Sequence, residues 1–246
     1  MEIITSKANN AIKNAKKLHQ KKYRKKSYLI EGWHLFEEAV ASGADIHQIF
    51  VLEEMAERVS QYPQAVQVTP EILKDLVDSP SPQGIVAVLA MPEQSLPKQL
   101  SGRFLVLEDV QDPGNVGTMI RTADAAGFDG VIISDRTADI YNLKTLRSMQ
   151  GSHFHLPIYR VAMENALKQL KEAAIPIVAT TLSEQSVDYR QLPKCKNLAL
   201  IMGNEGQGIS QLVSEQADYL VHIAMPGRAE SLNVAVAAGI VIFSVL

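Results

Sequence analysis

Cysteine and long hydrophobic runs are scarce in this chain of 246 residues. The single cysteine, Cys195, excludes an internal disulfide framework and any zinc or iron–sulfur site built from several cysteines. The longest apolar run, residues 232–246, is interrupted by Asn233, Gly239 and Ser244 and is shorter than the roughly 20 residues of a transmembrane helix. Because no apolar signal core follows the first charges, the sequence predicts a cytoplasmic protein without a membrane span.

The net charge is also small, −3 at pH 7, but it is unevenly distributed. Residues 1–30, called the basic arm below, contain nine lysines and arginines against one acid, Glu2, and carry +8. The other 216 residues carry −11. Clustered cations release counterions from phosphates, so the basic arm indicates a polyanionic partner. A solvated helix face explains the charge alone equally well.

Apolar patterns divide the chain into two parts. Residues 93–102 hold proline, serine and glycine without a sustained apolar period, which predicts a linker. Before it, a helical pattern at 31–42 and short apolar runs at 48–52 and 84–90 predict a small α/β domain over 1–92. After it, strand-like runs alternate with helical stretches, which predicts a parallel sheet covered by helices over 103–246. The strands are expected at 104–107, 131–133, 175–179, 198–202 and 219–223, and the helices at 116–126, 164–174, 209–216 and from 231 onward.

Three segments place glycine and small polar residues directly after strand-like runs, where open α/β sheets bind ligands. In the first, residues 107–121, Asn115 is expected to cap a helix whose Arg121 points away from the apolar stripe. Pairing of Arg121 with Asp124 on the surface is the structural alternative. The second, residues 201–209, contains Gly203, Gly206 and Gly208, a spacing that matches neither a dinucleotide fingerprint nor a P-loop. A tight strand-to-helix turn is the alternative there.

The third segment, residues 223–234, leads into the C-terminal helix, for which Ser231 is the expected N-cap. Residues 234–243 leave this helix no polar face, so it needs cover on every side, from this chain or from a second subunit. Elsewhere, His153 and His155 alternate as neighbours on one strand face would, but they lack a nearby third ligand and are interpreted as ordinary histidines. No metal site is expected, and no motif supports Cys195 as a nucleophile.

The three segments in this order, with a weaker motif at 147–152 and Leu156-Pro157, resemble the SpoU (TrmH) family of RNA ribose 2'-O-methyltransferases. The resemblance covers about 103–246, and residues 28–32 ahead of a helix are similar to the substrate-binding domain often fused to that family. One departure is Ala224, where family members commonly have proline. The resemblance implies a trefoil-knotted α/β catalytic domain with a Rossmann-like parallel sheet, preceded by a small α/β RNA-binding domain. It further implies an S-adenosylmethionine cofactor and a homodimer.

The resemblance also implies roles for particular residues. The catalytic residues would be Arg121, Glu205, Ser231, Asn233 and Asn115. The cofactor would contact Thr181, Leu182, Met202, Gly203, Asn204, Gly206, Gly208, Ile223, Met225, Ser231 and Leu232. Because a guanidinium with a pKa of about 12 or above keeps its proton, Arg121 is expected to grip the phosphate next to the target ribose while Glu205, Ser231 and Asn233 orient Arg121 or that ribose.

RNA would be held by Lys16, Lys17, Lys21, Lys22, Arg24, Lys25, Lys26 and Arg121. The resemblance thus implies methyl transfer to a ribose 2'-hydroxyl of structured RNA, with 23S ribosomal RNA favoured, and no metal is expected. A transfer-RNA methyltransferase and a non-catalytic ribosome-assembly protein are the alternatives.

Overall fold

The computed structural model describes residues 1–93 and 95–246; the predicted linker at 93–102 includes residue 94, which lies outside the described residues. The strands in the described residues are β1 (Glu2–Ile4), β2 (Ser27–Glu31), β3 (Ile46–Val51), β4 (Ala65–Val68), β5 (Ile85–Ala90), β6 (Arg103–Leu107), β7 (Gly130–Ile133), β8 (Ile158–Arg160), β9 (Ile177–Thr180), β10 (Val187–Asp188), β11 (Leu198–Met202) and β12 (Tyr219–His222). The α-helices are α1 (Asn10–Lys17), α2 (Trp33–Ala41), α3 (Pro70–Leu76), α4 (Pro113–Ala125), α5 (Leu143–Met149), α6 (Met163–Glu172), α7 (Gln211–Gln216) and α8 (Val234–Ser244).

The chain forms two compact units. The first unit comprises Met1–Glu93 and Asp139–Phe154, and the second comprises Gln94–Ala138 and His155–Leu246. No sequence pattern indicated that residues 139–154, between β7 and β8, pack with the first unit.

The first unit contains a mixed sheet in the order β1-β4-β3-β5-β2. Strands β1, β4 and β3 run parallel, and β5 runs antiparallel to both β3 and β2. The returning segment, residues 139–154, is held by side chains. The ring of Tyr141 lies 4.5 Å from that of Tyr28, and the Arg147 guanidinium lies 3.5 Å from Glu31 and 3.4 Å from Asp78.

The second unit contains the sheet β10-β12-β9-β11-β6-β7-β8, in which all the described neighbouring strands run parallel. Every residue of β7 and β11 is buried, as a parallel sheet covered on both faces requires. The predicted parallel α/β architecture is therefore confirmed. Since parallel strands end at the same edge, the loops after Leu107, Met202 and His222 gather there.

Both predicted N-caps are wrong. Helix α4 begins at Pro113, and its cap is Asp112, whose Oδ1 accepts a hydrogen bond from the Asn115 backbone N at 2.9 Å. Proline suits the first helical position because its missing N–H would lack an intrahelical partner there. Helix α8 is capped by Asn233 rather than Ser231. The side chains of Asn115 and Ser231 are therefore not used as caps.

The expected strand face at His153 and His155 is also wrong. Gln150 and Gly151 adopt positive φ angles of 51° and 93°, which turn the chain, and His153 lies in a 3₁₀ turn over Ser152–Phe154. His155 instead lies 3.1 Å from the carboxylate of Asp124. Asp124 is the residue that was considered above as a surface partner of Arg121.

None of the helices within 1–93 and 95–246 is long and apolar enough to cross a membrane. A trefoil knot is defined by how segments of the chain thread through one another. Strand order does not define this threading, so the knot stays a prediction.

Candidate active site

A cleft of about 710 Å³ lies in the second unit at the carboxyl ends of β9, β11 and β12. Its walls are the last residues of those strands, the loops after them and residues of α8 as far as Val241. The structure brings every residue predicted to contact the cofactor into these walls: Thr181, Leu182, Met202, Gly203, Asn204, Gly206, Gly208, Ile223, Met225, Ser231 and Leu232. Residues from three separate stretches of the sequence, within 180–182, 202–208 and 221–241, thus line one cavity.

The glycine-rich loop after β11 is a closed turn. The backbones of Asn204 and Gly208 exchange two hydrogen bonds of 2.9 Å. The Asn204 side chain closes the turn from inside by accepting hydrogen bonds from the backbone N of Gly206 at 2.9 Å and of Gln207 at 3.0 Å. A Cβ atom at Gly203 would lie 2.3 Å from the Gly208 carbonyl carbon, so only glycine fits there. The tight-turn interpretation is therefore correct, and the same turn lines the cleft.

This loop is joined to the loop after β6 by several hydrogen bonds. The Asn204 Nδ2 donates a hydrogen bond to the Asp109 carbonyl at 2.8 Å. The Glu108 side chain, which is buried, accepts a hydrogen bond from the Ser210 backbone N at 2.8 Å. Asp109 itself has a φ of 55°, and its backbone N donates to the Ser134 hydroxyl at 2.9 Å. Sequence reasoning missed Glu108 and Asp109 as supports of the site.

Three predicted catalytic residues meet in a polar cluster formed by Asn115, Glu205 and Asn233. Glu205 accepts hydrogen bonds from Asn115 Nδ2 at 3.1 Å and from the backbone N of Gln111 and Asp112, both at 3.0 Å. Asn233 Nδ2 donates to Asn115 Oδ1 at 3.0 Å. The Asn115 amide is therefore oriented at both ends, and one residue from each of the three motifs is fixed relative to the others.

Hydrogen bonding keeps the Glu205 carboxylate charged. Burial acts to raise the pKa of Glu205, but the hydrogen bonds donated by Gln111, Asp112 and Asn115 outweigh it and hold the pKa below its ordinary value. A carboxylate that accepts three hydrogen bonds is a poor proton acceptor. Glu205 is thus suited to positioning and to electrostatic stabilisation.

Arg121 lies apart from these contacts. Its side chain is exposed on α4, it is not among the residues that line the cleft, and within the described residues it forms no hydrogen bond or ion pair. Glu205 and Asn233 were expected to orient Arg121 or the ribose; in the structure both contact Asn115 instead, because Asn115 stands in the first turn of α4 beside both loops. Ser231 is exposed in the cleft wall.

Four polar residues of the cleft wall were not predicted: Thr180, Gln207, His222 and Glu230. Glu230 directly precedes the predicted Ser231 in the third segment, residues 223–234. Its position in that segment could have identified it as a residue of the site.

The predicted RNA-binding lysines of the first unit are exposed, but the arginine predicted together with them is buried. Lys16, Lys17, Lys21, Lys22, Lys25 and Lys26 are all exposed. Arg24 is not: only 4% of its side chain is accessible. It forms an ion pair with Asp139 and donates to the carbonyls of Leu18 at 3.1 Å and Tyr141 at 3.0 Å. The prediction that Arg24 contacts RNA is therefore corrected, since its donors are used by the returning segment.

Comparison with known proteins gives the class. Residues 102–243 match the model of the SpoU rRNA methylase family, and residues 9–87 match the MRM3-like substrate binding domain. The chain belongs to the SpoU rRNA methylase family.

Particular relatives cover nearly the full chain. It is 41% identical over 247 residues to the 23S rRNA (guanosine(2553)-2'-O)-methyltransferase RlmP of Bacillus subtilis, covering 99% of this chain and 98% of that protein. The AdoMet-bound rRNA methyltransferase from Sinorhizobium meliloti matches with a TM-score of 0.90 and 33% identity over 99% of this chain and 97% of its own. The AdoMet complex of the SpoU methyltransferase AviRb from Streptomyces viridochromogenes matches with a TM-score of 0.86 and 28% identity over 96% and 97%.

Proposed function

We propose that this protein transfers the methyl group of S-adenosylmethionine to the ribose 2'-hydroxyl of a guanosine in 23S ribosomal RNA, in the cytoplasm. The observation that carries the proposal is the convergence of the three motifs on one polar cluster, beside a cleft that the second and third motifs line. The full-length similarity to RlmP supports the choice of 23S rRNA, and of the nucleotide that corresponds to its guanosine 2553.

The residues of the cleft fit this cofactor. The cleft volume of about 710 Å³ lies in the range of ligand pockets. Apolar side chains such as Leu182, Met202 and Val241 line the cleft together with the backbone of the glycine-rich loop. The cofactor carries a positive sulfonium and a positive ammonium group. Glu205 and Glu230, both in the wall, place negative charge beside it. When bound, S-adenosylmethionine supplies a methyl group that the sulfonium already activates.

The protein's own chemical task is to position the ribose and to manage the charge that develops on its oxygen. Arg121 is available for this because it has no partner among the described residues, and its planar fork suits an RNA phosphate. In this proposal Arg121 grips that phosphate and stabilises the developing alkoxide. The polar cluster fixes the loops on which the ribose is oriented, and Ser231 offers a hydroxyl in the cleft wall.

Residues 1–92 would serve as the RNA substrate-binding domain, joined by the linker at 93–102 to the knotted methyltransferase domain at 103–246. The exposed lysines of the basic arm and the match of 9–87 to a substrate-binding domain support this division. Phosphate contacts of this kind supply affinity without base specificity.

The protein would act as a homodimer through α8. This helix is apolar, yet Val236 and Phe243 are 52% and 54% exposed. A second copy of the same face would cover them and account for a helix with no polar side.

Replacing Val236 or Phe243 with aspartate tests the dimer, because these side chains are exposed within the chain and their substitution does not disturb its own core. Light scattering should report about twice 27.0 kDa for the parent and about 27.0 kDa for the variants. Ile242→Asp is a poorer test, since Ile242 is fully buried and its loss would unfold the chain. A monomeric parent protein would refute the dimer.

A transfer-RNA methyltransferase is the second candidate function. The A. aeolicus TrmH/SpoU tRNA modifying enzyme is 33% identical but covers 60% of this chain with a TM-score of 0.54. The rRNA methyltransferase of Sinorhizobium meliloti also covers the part that includes the first unit, which favours ribosomal RNA.

Methyl transfer with purified components tests the proposal. The protein is incubated with S-adenosylmethionine and either 23S rRNA or total tRNA, and ribose methylation is mapped by its resistance to alkaline cleavage. We expect one methylated guanosine in 23S rRNA. Methylation of tRNA alone would favour the second candidate. No cofactor binding by calorimetry, with RNA present or absent, would leave only a non-catalytic RNA-binding protein.

A further inference from the structure

Tyr23 is an exposed aromatic residue within the basic arm. It ends a 3₁₀ turn over Lys21–Tyr23, and 46% of its surface is accessible. Among the described residues of the first unit it is the only exposed tyrosine, phenylalanine or tryptophan. The other aromatic side chains of that unit pack inside it or lie half-buried.

The turn holds Tyr23 in place from behind. The side chain of the next residue, Arg24, is buried, pairs with Asp139 and donates to the Leu18 and Tyr141 carbonyls. Backbone hydrogen bonds of 3.0 Å from Tyr23 to Gln20 and of 3.1 Å from Arg24 to Lys21 close the turn. The ring is thus presented on an ordered base, which lowers the entropy cost when a ligand packs against it.

The surroundings of the ring are cationic. The Lys22 Nζ lies 4.9 Å from the ring centroid, over one face. Lys25 and Lys26 follow two and three residues later and are exposed. An aromatic face beside several lysines is the arrangement with which proteins hold an unstacked base while contacting its phosphates.

We propose that Tyr23 is a stacking platform for an unpaired base of the RNA, with the neighbouring lysines on the flanking phosphates. The proposal rests on RNA being the substrate, as proposed above. It adds that the first unit distinguishes unpaired from paired RNA, because a base held within a duplex offers no free face to the ring. Lysines alone do not make this distinction.

Binding of the full-length protein to two labelled RNAs tests this. One is a hairpin with an unpaired loop, and the other is a fully paired duplex of equal length. We expect Tyr23→Leu to weaken hairpin binding about 5-fold or more, the low end of the effect of removing one base–aromatic stack, and to leave duplex binding within about 2-fold. Tyr23→Phe, which keeps the ring, should bind the hairpin within about 2-fold of the parent.

Two control variants separate stacking from charge and from general damage. Lys22→Gln should weaken both RNAs and flatten the salt dependence of binding, whereas Tyr23→Leu should leave that salt dependence unchanged, because stacking releases no counterions. Tyr219→Leu removes a tyrosine of the second unit that is exposed to 40% and should change neither affinity.

The outcomes distinguish this inference from the proposed function. If Tyr23→Leu binds the hairpin as tightly as the parent does, or weakens hairpin and duplex binding equally, the stacking platform is refuted while the methyltransferase proposal stands. If the parent protein binds neither RNA, the proposed function fails first.

Discussion

The two units of this protein use polar side chains in opposite ways. In the second unit the polar side chains at the edge of the parallel sheet bind one another and the backbone, as Asn115, Glu205 and Asn233 show. In the first unit the lysines of the basic arm are exposed. A site that positions reacting atoms needs preorganised groups, whereas a surface that attracts a polyanion needs accessible charge. Arg121 and Arg24 depart from this pattern, one exposed in the second unit and one buried in the first.

Arg121→Ala should have the largest effect, and this effect should be limited to turnover. We expect the rate of methyl transfer at saturating RNA to fall roughly 100-fold or more, the usual scale for removing one preorganised electrostatic group. Cofactor affinity and thermal stability should stay close to those of the parent, because Arg121 has no partner among the described residues. Single-turnover kinetics measure the rate, and calorimetry measures affinity and stability.

Two further variants sharpen that result. Arg121→Lys keeps the charge but not the planar fork, and near-full activity would refute bidentate gripping of a phosphate. Arg190→Ala, which removes another exposed arginine of the second unit that pairs with Asp188 and does not line the cleft, serves as the control and should stay active.

Gly203→Ala should weaken cofactor binding about tenfold or more. The added Cβ would lie 2.3 Å from the Gly208 carbonyl carbon, so the turn must shift, which typically costs about 1–3 kcal/mol. Gly227→Ala is the matched control, since Gly227 does not line the cleft and its Cβ would meet nothing within 4 Å. Equal cofactor affinities of the two variants by calorimetry would show that the closed turn does not shape the cleft.

Replacing Lys21, Lys22, Lys25 and Lys26 with glutamine should weaken RNA binding and flatten its salt dependence, by up to about 0.7–0.9 in slope for each phosphate that is no longer neutralised. Turnover at saturating RNA should largely survive, in contrast to Arg121→Ala. Four exposed lysines of the second unit, Lys98, Lys168, Lys194 and Lys196, give the matched control. An equal decrease of affinity in that control would mean that the basic arm has no special part in RNA binding.

The smallest expected effect is a pH-dependent decrease of stability through Glu205. Because its pKa is lowered on folding, its charged form stabilises the protein above its ordinary pKa of 4.5, and this contribution disappears as pH falls through the lower folded value. The difference in free energy of unfolding between the parent and Glu205→Gln should therefore be constant near neutral pH and shrink below about pH 4.5. Denaturant titrations measure it, with Glu54→Gln on the first unit as a control. A difference that grows on acidification would contradict the hydrogen-bonding account.

The sequence predicted much of the second unit because buried parallel strands are continuous apolar runs that end in recognisable turns. Met202, Gly203 and Ile223 were therefore placed correctly at one sheet edge. The contacts across that edge, such as Asn204 with the Asp109 carbonyl, were not predicted, because they join residues far apart in the chain and leave no local pattern. Arg24 was misjudged for the same reason: its neighbours in sequence are exposed cations, whereas its partner Asp139 returns from much later in the chain.

We propose that the second unit catalyses ribose methylation of 23S rRNA and that Arg121 is needed for it. Ribose methylations of 23S rRNA should be mapped in cells that lack this protein and in the same cells supplied with the parent or with Arg121→Ala. The account predicts that one methylated guanosine disappears, returns with the parent protein and does not return with Arg121→Ala. An unchanged methylation map in the cells that lack the protein, or full restoration by Arg121→Ala, would contradict it.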